Sequence, residues 1–448
     1  MPKKTFTFNG IRKDWLIMTR GRTKPLFAPV DRNLLAVPGM NGAHLQGTEI
    51  KPVEFEQPIA YVSEDDKTDL QLKDELAEWL ITDEPASLEF DDEPGRTYYA
   101  LVQNTISDFE KISVLRQGKI NFLLLDPYGY GPEIPKEFTS DVLQFTYDGT
   151  AEADPVFNLQ VTKPITFAMV QNDLDEYMLI GEPTDVDTEV VDEKTTIFDE
   201  VGDTLDSWDE TSASQGSFIR GSRGIQVQSY GTGDAWHGPG LMKTLTTPIQ
   251  DFELEFFINV RTERVDMPFR LSTNFYDEQM NEIGMLRVWD KSPKRMQKNA
   301  EGRIGEYLSQ YENYLISDRN YHIPDQRVWS GILRVTREGN TITMYVARIS
   351  QAGNHIESIR QVYVDNAKEY AGKLKYVRID AAKYGEFDKP NEAGINRVKL
   401  SSLKRATIDQ TPYIARPGDT ITFDHKNEEI LINGEDRKDL KDFGGSFF

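Results

Sequence analysis

Patterns typical of β-strands recur along almost the whole chain, whereas only one segment has the spacing of a helix. Apolar and polar residues alternate in Thr97–Val102, Phe252–Val260 and Thr341–Val346, and turn-forming residues such as Arg337–Asn340 bound these runs. The chain has 448 residues, which is too many for one ordinary domain. The sequence therefore predicts a mainly β protein of two to four domains. From about 215 to 408 the many closely spaced strands favour a jelly-roll β-sandwich.

The one predicted helix runs from Thr68 to about Ile81. Four apolar residues fall on one stripe at i, i+4, i+7 and i+8, namely Leu72, Leu76, Trp79 and Leu80. Thr68 or Asp69 is expected to cap the start, and Pro85 lies just past the end. Since Trp79 lies on the stripe, we expect it to be a core residue.

Other segments favour loops and boundaries. The Pro/Gly cluster at 126–132 predicts a boundary, and Val142–Tyr147 follows it as a predicted strand. Residues 182–210 carry twelve acidic side chains against Lys194 alone, which predicts a linker. Residues 293–316 are expected to form a helix or a long loop.

Composition excludes several classes of site. The chain has no cysteine and only five histidines, none with metal-ligand spacing, so we predict no cofactor and no metal site. A structural calcium held by the acidic run 199–210 is the less favoured alternative. The longest apolar runs are too short for a transmembrane helix, and Met1–Phe8 lacks the apolar core of a signal peptide. We therefore expect the chain to be made in a cytosol and to bind no membrane.

The charge distribution points to a protein partner. A net charge of −23 argues against general nucleic-acid binding. Residues 1–40 nevertheless carry eight basic groups against two acidic ones. This basic stretch suits either contact with an acidic neighbour or a solvated loop. The interface candidates are Lys3, Lys4, Arg12, Lys13, Arg20, Arg22, Lys24 and Arg32.

Several segments together resemble the distal tail proteins (Dit) of long-tailed phages that infect Gram-positive bacteria. The similarity covers roughly residues 1–181 and 410–448. The segments that carry it are Phe8–Asp14, Val37–Ala43, Glu75–Ile81, Leu88–Tyr99, Asp126–Gly131 and the hairpin-like stretch 418–434.

This resemblance implies a fold and an organisation. It implies a β-barrel-like, ring-forming domain with one helix over residues 1–135. It further implies a galectin-like β-sandwich formed by 136–194 and 409–448. The insert at 195–408 is similar to a carbohydrate-binding module with a concanavalin- or laminin-G-like jelly roll, as in the longer "evolved" members of the family.

The resemblance also implies a function at the tail tip of a virion. Members form a hexameric ring that joins the tail tube to the baseplate. The implied partners are other copies of the chain, the major tail tube protein and the baseplate hub protein, together with the tape-measure and receptor-binding proteins and the host cell-wall polysaccharide.

A glycan site needs flat aromatic faces with polar groups beside them. The candidates in the insert are Trp208, Tyr230, Trp236, Tyr276 and Tyr311. Trp236 lies in the Gly-rich loop 231–240, where it is expected either to project its ring or to plug the edge of the sandwich. Trp289 and Trp329 alternate with apolar neighbours, so both are expected in the core.

We predict no enzymatic activity, because GxSxG and Walker A motifs are absent. The alternative function is a tail-associated glycan hydrolase acting through the insert. A glycosidase needs two carboxylates about 5–10 Å apart, and no pair stands out among the 74 acidic residues. A secreted lectin is disfavoured by the absence of a signal-peptide pattern.

Overall fold

A computed structural model describes residues 4–36, 38–39, 41–103, 109–184, 189–211, 215–308, 313–324, 326–407 and 410–448. These residues form a mainly β structure with one α-helix, which confirms the predicted fold class. The chain divides into two compact units, Met1–Tyr147 and Asp148–Phe448. Within the described ranges, no helix has the length and apolar character needed to cross a membrane.

The first unit contains one large antiparallel sheet, one helix and a separate hairpin. Its sheet has the strand order β2-β1-β7-β8-β10-β6-β3, with β9 paired to β10, while β4 and β5 pair only with each other. The elements are β1 Phe6–Phe8, β2 Ile11–Arg12, β3 Ile17–Met18, β4 Val30–Leu35, β5 His44–Ile50, β6 Val53–Val62, α1 Asp66–Leu80, β7 Ala86–Phe90, β8 Thr97–Val102, β9 Glu110–Ile112 and β10 Leu115–Leu124.

Helix α1 packs on the large sheet through the predicted apolar stripe. Trp79 is buried and stacks on Phe6 with ring centroids 5.4 Å apart, and its Nε1 donates to the Phe8 carbonyl at 2.9 Å. This confirms Trp79 as a core residue. The helix begins two residues earlier than predicted, because the Asp65 side chain accepts a hydrogen bond from the Thr68 amide at 2.7 Å and caps the first turn.

The second unit is built from two large sheets and several small ones. Its strands are β11 Val156–Gln160, β12 Phe167–Gln171, β13 Tyr177–Gly181, β14 Glu189–Val191, β15 Lys194–Glu200, β16 Asp209–Glu210, β17 Ser217–Gly221, β18 Gly224–Ser229, β19 Trp236–His237, β20 Gly240–Ile249, β21 Phe252–Arg261, β22 Phe269–Asp277, β23 Glu282–Asp290, β24 Gln297–Ile304, β25 Tyr314–Ile316, β26 His322–Pro324, β27 Val328–Glu338, β28 Thr341–Ile349, β29 His355–Val364, β30 Leu374–Tyr384, β31 Glu392–Leu403, β32 Gln410–Pro412, β33 Thr420–Asp424, β34 Glu429–Ile432 and β35 Glu435–Asp436. A 3₁₀ turn, Lys438–Leu440, follows β35.

The two large sheets enclose the main core. The back sheet has the order β17-β18-β31-β21-β27-β28-β29 with β15 on β31, and the front sheet has the order β16-β20-β30-β22-β23-β24-β25 with β19 on β30 and β26 on β24. Strands such as Phe252–Arg261 alternate buried and less buried side chains along most of their length, and the buried set from both sheets forms one cluster. Trp329 is fully buried in this cluster, as predicted.

A second, smaller core lies outside the sandwich. Strand β11, which precedes the sandwich in sequence, pairs with β33, which follows it, over Val156–Gln160 and Thr420–Asp424. Ile180, Ile421 and Phe423 are buried there with Met178 and Ile430. Early and late segments of the second unit thus share one core, while the domain boundaries given above stay a prediction.

Three local predictions are wrong. Val142–Tyr147 forms no strand, and Val142 is 78% exposed. The predicted linker contains β15, which pairs with β31, and its acidic charge is met across the strands, for example by Arg397 on Asp199. The segment 293–316 contributes strands β24 and β25, because β24 pairs along most of its length with β23.

The small core is fastened to the outer face of the back sheet by a half-buried ion pair. The two terminal nitrogens of Arg334 donate to the two Glu435 oxygens at 2.7 and 2.5 Å. The Glu255 carboxylate lies 3.6 Å from the same guanidinium, which lies over the Tyr345 ring at 4.6 Å. Burial is the largest single influence on the pKa of Glu435 and acts to raise it, but the hydrogen bond from Arg334 and the positive charges of Arg334, His355 and Arg437 together lower that pKa.

The backbones meet beside this ion pair. The His355 amide donates to the Gly434 carbonyl at 2.9 Å. Gly434 has φ of 81°, and a Cβ there would lie 2.2 Å from the Gly353 carbonyl oxygen. Glycine is therefore required at this contact, which joins the β34–β35 turn to the β28–β29 turn.

Replacing Arg334→Met should loosen this contact. The substitution leaves Glu435 and Glu255 without their cation, which costs about 3 kcal/mol of unfolding free energy of the second unit in urea. The control is Arg437→Met, which breaks an exposed pair with Asp439 and should cost less than about 1 kcal/mol. Equal effects of the two substitutions would contradict this account.

The same contact should depend on pH. The pKa of Glu435 is lower in the folded chain than the ordinary glutamate value of 4.5. The ion pair therefore stabilises the folded chain at pH values above 4.5. That stabilisation is lost as the pH falls through the lowered value. The protection of the His355 amide against hydrogen exchange, relative to its intrinsic rate at each pH, should therefore fall at acidic pH more in the wild type than in Arg334→Met.

Candidate functional site

The outer side of the front sheet carries an alternating set of polar and aromatic side chains. In β22 the buried core residues alternate with four partly exposed ones on the opposite side, Arg270, Ser272, Asn274 and Tyr276. Since side chains alternate between the faces of a strand, these four point away from the core. We call this side of the sheet the front face.

Strand register extends the front face across the neighbouring strands. On β30, Asp380 lies opposite Ser272 and Arg378 lies opposite Asn274. On β23, Trp289 lies opposite Arg270 and Arg287 lies opposite Ser272. On β24, the residues opposite Trp289, Arg287 and Met285 are Asn299, Glu301 and Arg303.

Three ion pairs lie on this face. Arg378 Nη2 is 2.6 Å from Asp380 Oδ1, and Arg287 Nε is 2.5 Å from Glu301 Oε2. Arg303 Nη2 is 2.9 Å from Glu282 Oε1, which also accepts a 2.6 Å hydrogen bond from the Asn274 amide. Each carboxylate is therefore held in one orientation by a guanidinium of the same face.

Burial affects two of these carboxylates. It raises the pKa of Asp380 and of Glu282, and the nearby guanidinium groups of Arg378 and Arg303 only partly oppose the effect. Gly240 lies opposite Asp380 across β20 and β30, and a Cβ there would lie 2.6 Å from Asp380 Oδ1. A side chain at position 240 would therefore displace the Asp380 carboxylate, and glycine leaves room for it.

An aromatic rim lies at one end of the front face. Trp236 pairs with Tyr384 across β19 and β30, and their ring centroids are 5.3 Å apart. The Arg270 guanidinium lies 4.0 Å from the Trp236 centroid. Tyr384 is 41% exposed and lies beside the partly exposed Phe387. This rim presents aromatic surface next to charged groups, the combination that sugar binding requires.

Trp289 is buried, as predicted, but on the front-face side of its strand. Val288 beside it belongs to the main core, whereas Trp289 lies in register with Arg270. Its Nε1 is buried and has no acceptor among the described residues. A buried indole N–H without an acceptor is a donor available to a ligand oxygen or a water.

The five aromatic candidates fall into three groups. Trp236 and Tyr276 lie on the front face. Trp208 and Tyr230 are buried in the main core, which corrects their assignment to glycan binding because neither offers an open ring face. Tyr311 lies outside the described residues.

Sequence reasoning missed most of the polar members of the face. The signal was present in strand β30, where Arg378 and Asp380 alternate with Val377, Ile379 and Ala381 of the core. Charged residues at every second position of an otherwise apolar strand mark its outward side. Pairing between strands was needed to show that those of β22, β23, β24 and β30 meet.

Most of the predicted interface cations are engaged within the first unit. Arg12 binds Asp91 through two nitrogens at 2.5 and 2.9 Å, and Lys13 lies 2.5 Å from Glu75. Arg22 Nη1 is 2.6 Å from Glu93 and its Nη2 is 2.7 Å from Asp92.

The remaining cations of this set are placed differently. Lys24 joins the Arg22 group at 2.5 Å from Glu93. Arg32 donates to Thr48 Oγ1 at 2.6 Å, Lys4 and Arg20 are exposed, and Lys3 lies outside the described residues. Thus Arg12, Lys13, Arg22 and Lys24 fasten the acidic turn 91–93 and helix α1 to their own unit.

The β4–β5 hairpin exposes apolar surface instead. Leu34 and Leu45 lie opposite each other and are 62% and 57% exposed, and Val30 lies opposite Ile50 in the same ribbon. An isolated two-stranded ribbon is marginally stable in water. The exposed apolar pairs therefore mark a surface that is stabilised when another surface covers it.

Comparison with known proteins identifies the first unit. Residues 13–124 match the phage tail protein RIFT-related domain. The distal tail protein of Bacillus phage SPP1 is 26% identical over 167 residues, which are 37% of this chain. The match covers 61% of that relative, or about three fifths of its length.

Two solved structures of distal tail proteins are also similar. The CBM2 module of the evolved Dit of Lactobacillus casei BL23 phage J-1 aligns over 48% of this chain and 100% of the module, at 11% identity and a TM-score of 0.40. The SPP1 Dit aligns over 90% of this chain and 99% of its own, at 13% identity and a TM-score of 0.26. TM-scores this low do not establish a shared fold. The family domain and the SPP1 sequence match confirm the predicted resemblance: the chain is similar to the distal tail proteins of phages, and residues 13–124 of its first unit match the phage tail protein RIFT-related domain.

Proposed function

We propose that the chain is a structural protein of the phage tail tip, whose sandwich binds the host cell wall. Six copies form a ring that joins the tail tube to the baseplate. The ring contacts the major tail tube protein and the baseplate hub protein, with the tape-measure and receptor-binding proteins as further neighbours. The observation that carries the wall-binding role is the front face, which combines an aromatic rim with oriented carboxylates and guanidinium groups.

The β4–β5 hairpin supports self-association. Its exposed leucines lie on a ribbon that pairs with no other described strand of its unit. Covering Leu34, Leu45, Val30 and Ile50 with a second copy removes apolar area from water at about 25 cal/mol per Å². Most of the basic residues already bind acidic groups of their own unit, so they stabilise each copy and are not left to bind a neighbour. Apolar contact between copies is therefore what holds the ring together.

Disrupting this surface should abolish the ring. The double variant Leu34→Lys/Leu45→Lys places two charges side by side on the apolar side of the ribbon, one on each strand, and should shift the protein from hexamer to monomer in mass photometry. The side chains are exposed, so the circular dichroism spectrum should not change. The control is Leu70→Lys, which changes an exposed leucine of helix α1 and should leave rings intact. Rings that persist in the double variant would place the assembly surface elsewhere.

The front face supports glycan recognition because it offers both parts of a sugar site. The Trp236 and Tyr384 rings present surface for sugar C–H groups. Asp380, Glu282 and Asn274 lie farther along the same face with oxygens and N–H groups for hydroxyls. The opposite side of the sandwich is partly covered, since Arg334 and Glu435 fasten the small core to the back sheet.

Removing the rim should weaken wall binding. Trp236→Ala deletes the indole that lies against Arg270 and Tyr384, and we expect at least about tenfold weaker binding of the full chain to purified host cell walls, because base and sugar stacking contacts of this size contribute about 1–3 kcal/mol. The control Phe443→Ala removes a fully exposed ring of the C-terminal segment and should bind like the wild type. Equal binding by the wild type, Trp236→Ala and Phe443→Ala would show that Trp236 does not contribute to the glycan site.

The alternative is that the same face hydrolyses the wall polysaccharide. Each of the three carboxylates is already hydrogen-bonded to a guanidinium of the same face, so a glycosidic oxygen or an attacking water would have to compete with that partner. Incubating the full chain with host walls should therefore release no reducing sugar. Release that disappears in Asp380→Asn would favour the hydrolase.

A further inference from the structure

The charges of the front face point to the class of glycan. Resting on the proposed wall-binding function, we propose that the face takes an uncharged, extended stretch of polysaccharide rather than a phosphate- or carboxylate-bearing one. Three features of the face favour such a ligand: the pairing of its charged groups, an indole donor with no acceptor among the described residues, and its length.

The pairing disfavours an anionic ligand. Arg378, Arg287 and Arg303 each already bind a carboxylate of the same face. A ligand phosphate that approached these three guanidinium groups would meet the carboxylates that they already bind and would have to displace one of them. The remaining guanidinium of the face, Arg270, lies against the Trp236 ring. The net charge of −23 on the whole chain adds to this repulsion.

The same pairing suits hydroxyl groups, which both donate and accept. Asp380 and Glu282 offer oxygens that accept hydrogen bonds from sugar hydroxyls. Trp289 offers a neutral N–H donor that has no acceptor among the described residues and is buried on the front-face side of β23. A neutral hydroxyl, ring or acetamide oxygen satisfies this donor without bringing a charge next to the carboxylates.

The face is also long. Arg270, beside the Trp236 rim, and Tyr276 at the other end are six residues apart on β22, which corresponds to about 20 Å at about 3.3 Å per residue. Burial raises the pKa of Tyr276, so its hydroxyl stays protonated and remains both donor and acceptor. Such a span exceeds one sugar ring, so the ligand is an internal stretch of a polymer.

The test uses the full chain and host-wall polysaccharide separated by anion exchange into a neutral pool and a phosphate-bearing pool. Calorimetric titration at about 0.05 M and about 0.5 M NaCl separates charge attraction from hydroxyl recognition, because salt screens the former. We expect the neutral pool to bind with a Kd that changes less than about twofold between the two salt concentrations. We expect the phosphate-bearing pool to bind at least about tenfold more weakly at low salt.

The variant Asp380→Asn distinguishes a neutral from an anionic glycan independently of the salt dependence, because the two ligands predict opposite changes in affinity. For a neutral glycan it replaces a charge-assisted acceptor by an amide, and we expect about tenfold weaker binding. For an anionic glycan it removes a repulsion and should tighten binding. The control Asp266→Asn alters an exposed ion pair with Arg264 and should leave affinity unchanged.

The outcomes separate the two proposals. Binding of the phosphate-bearing pool that falls steeply with salt, or tighter binding by Asp380→Asn, overturns the uncharged ligand and leaves wall binding in place. Binding of short neutral oligosaccharides as tightly as of the polymer overturns the extended site. Binding of neither pool, with the protein folded and assembled, overturns the wall-binding function itself and this inference with it.

Discussion

The ion pair between Arg334 and Glu435 joins the small core to one outer side of the sandwich. A jelly-roll sandwich has two outer faces, and here the back sheet makes an internal contact through Arg334, whose guanidinium lies over the Tyr345 ring. The contact includes a backbone hydrogen bond from His355 and a close approach that requires Gly434. The proposed glycan site lies on the front face, the other outer side of the sandwich, while ion pairing and backbone contact hold the small core to the back sheet.

The front face combines rigidity with polarity in a way that suits recognition. Its polar side chains lie on long strands whose other side is the main core, so each is held by packing beneath it. Buried charges are costly when unpaired, and the three ion pairs offset that cost while fixing the carboxylate orientations. Binding then requires little reordering of side chains, which favours affinity from a small number of contacts.

The first unit distributes its interactions differently. Its basic residues stabilise the unit by binding Asp91, Asp92 and Glu93, and the exposed apolar residues lie on the separate β4–β5 hairpin. Charge alone therefore does not separate residues that pair within their own unit from residues that are free to meet a neighbour. Opposite charges in one stretch of sequence and in a nearby turn are as easily joined within a chain as between chains.

Much of this was predictable from the sequence, and the remainder depended on which strands pair. Period-2 alternation predicted the β class, and the stripe ending in Leu80 predicted the helix and the burial of Trp79. The acidic composition around Asp199 led to the wrong prediction of a linker, because the Asp199 charge is paired with Arg397, which lies nearly two hundred residues away in the sequence. The aromatic candidates could not be sorted, because Trp208 and Trp236 both have polar neighbours in sequence, although Trp208 packs into the main core and Trp236 lies on the front face.

Hydrogen exchange of the assembled protein, with and without host-wall polysaccharide, tests the central claim that one face of the sandwich is a glycan site and the other an internal contact. The account predicts that added polysaccharide slows exchange in β19, β22 and β30 and leaves β27, β28 and the β34–β35 turn unchanged. Protection confined to β27 and β28, or none anywhere in the sandwich at saturating polysaccharide, would contradict it.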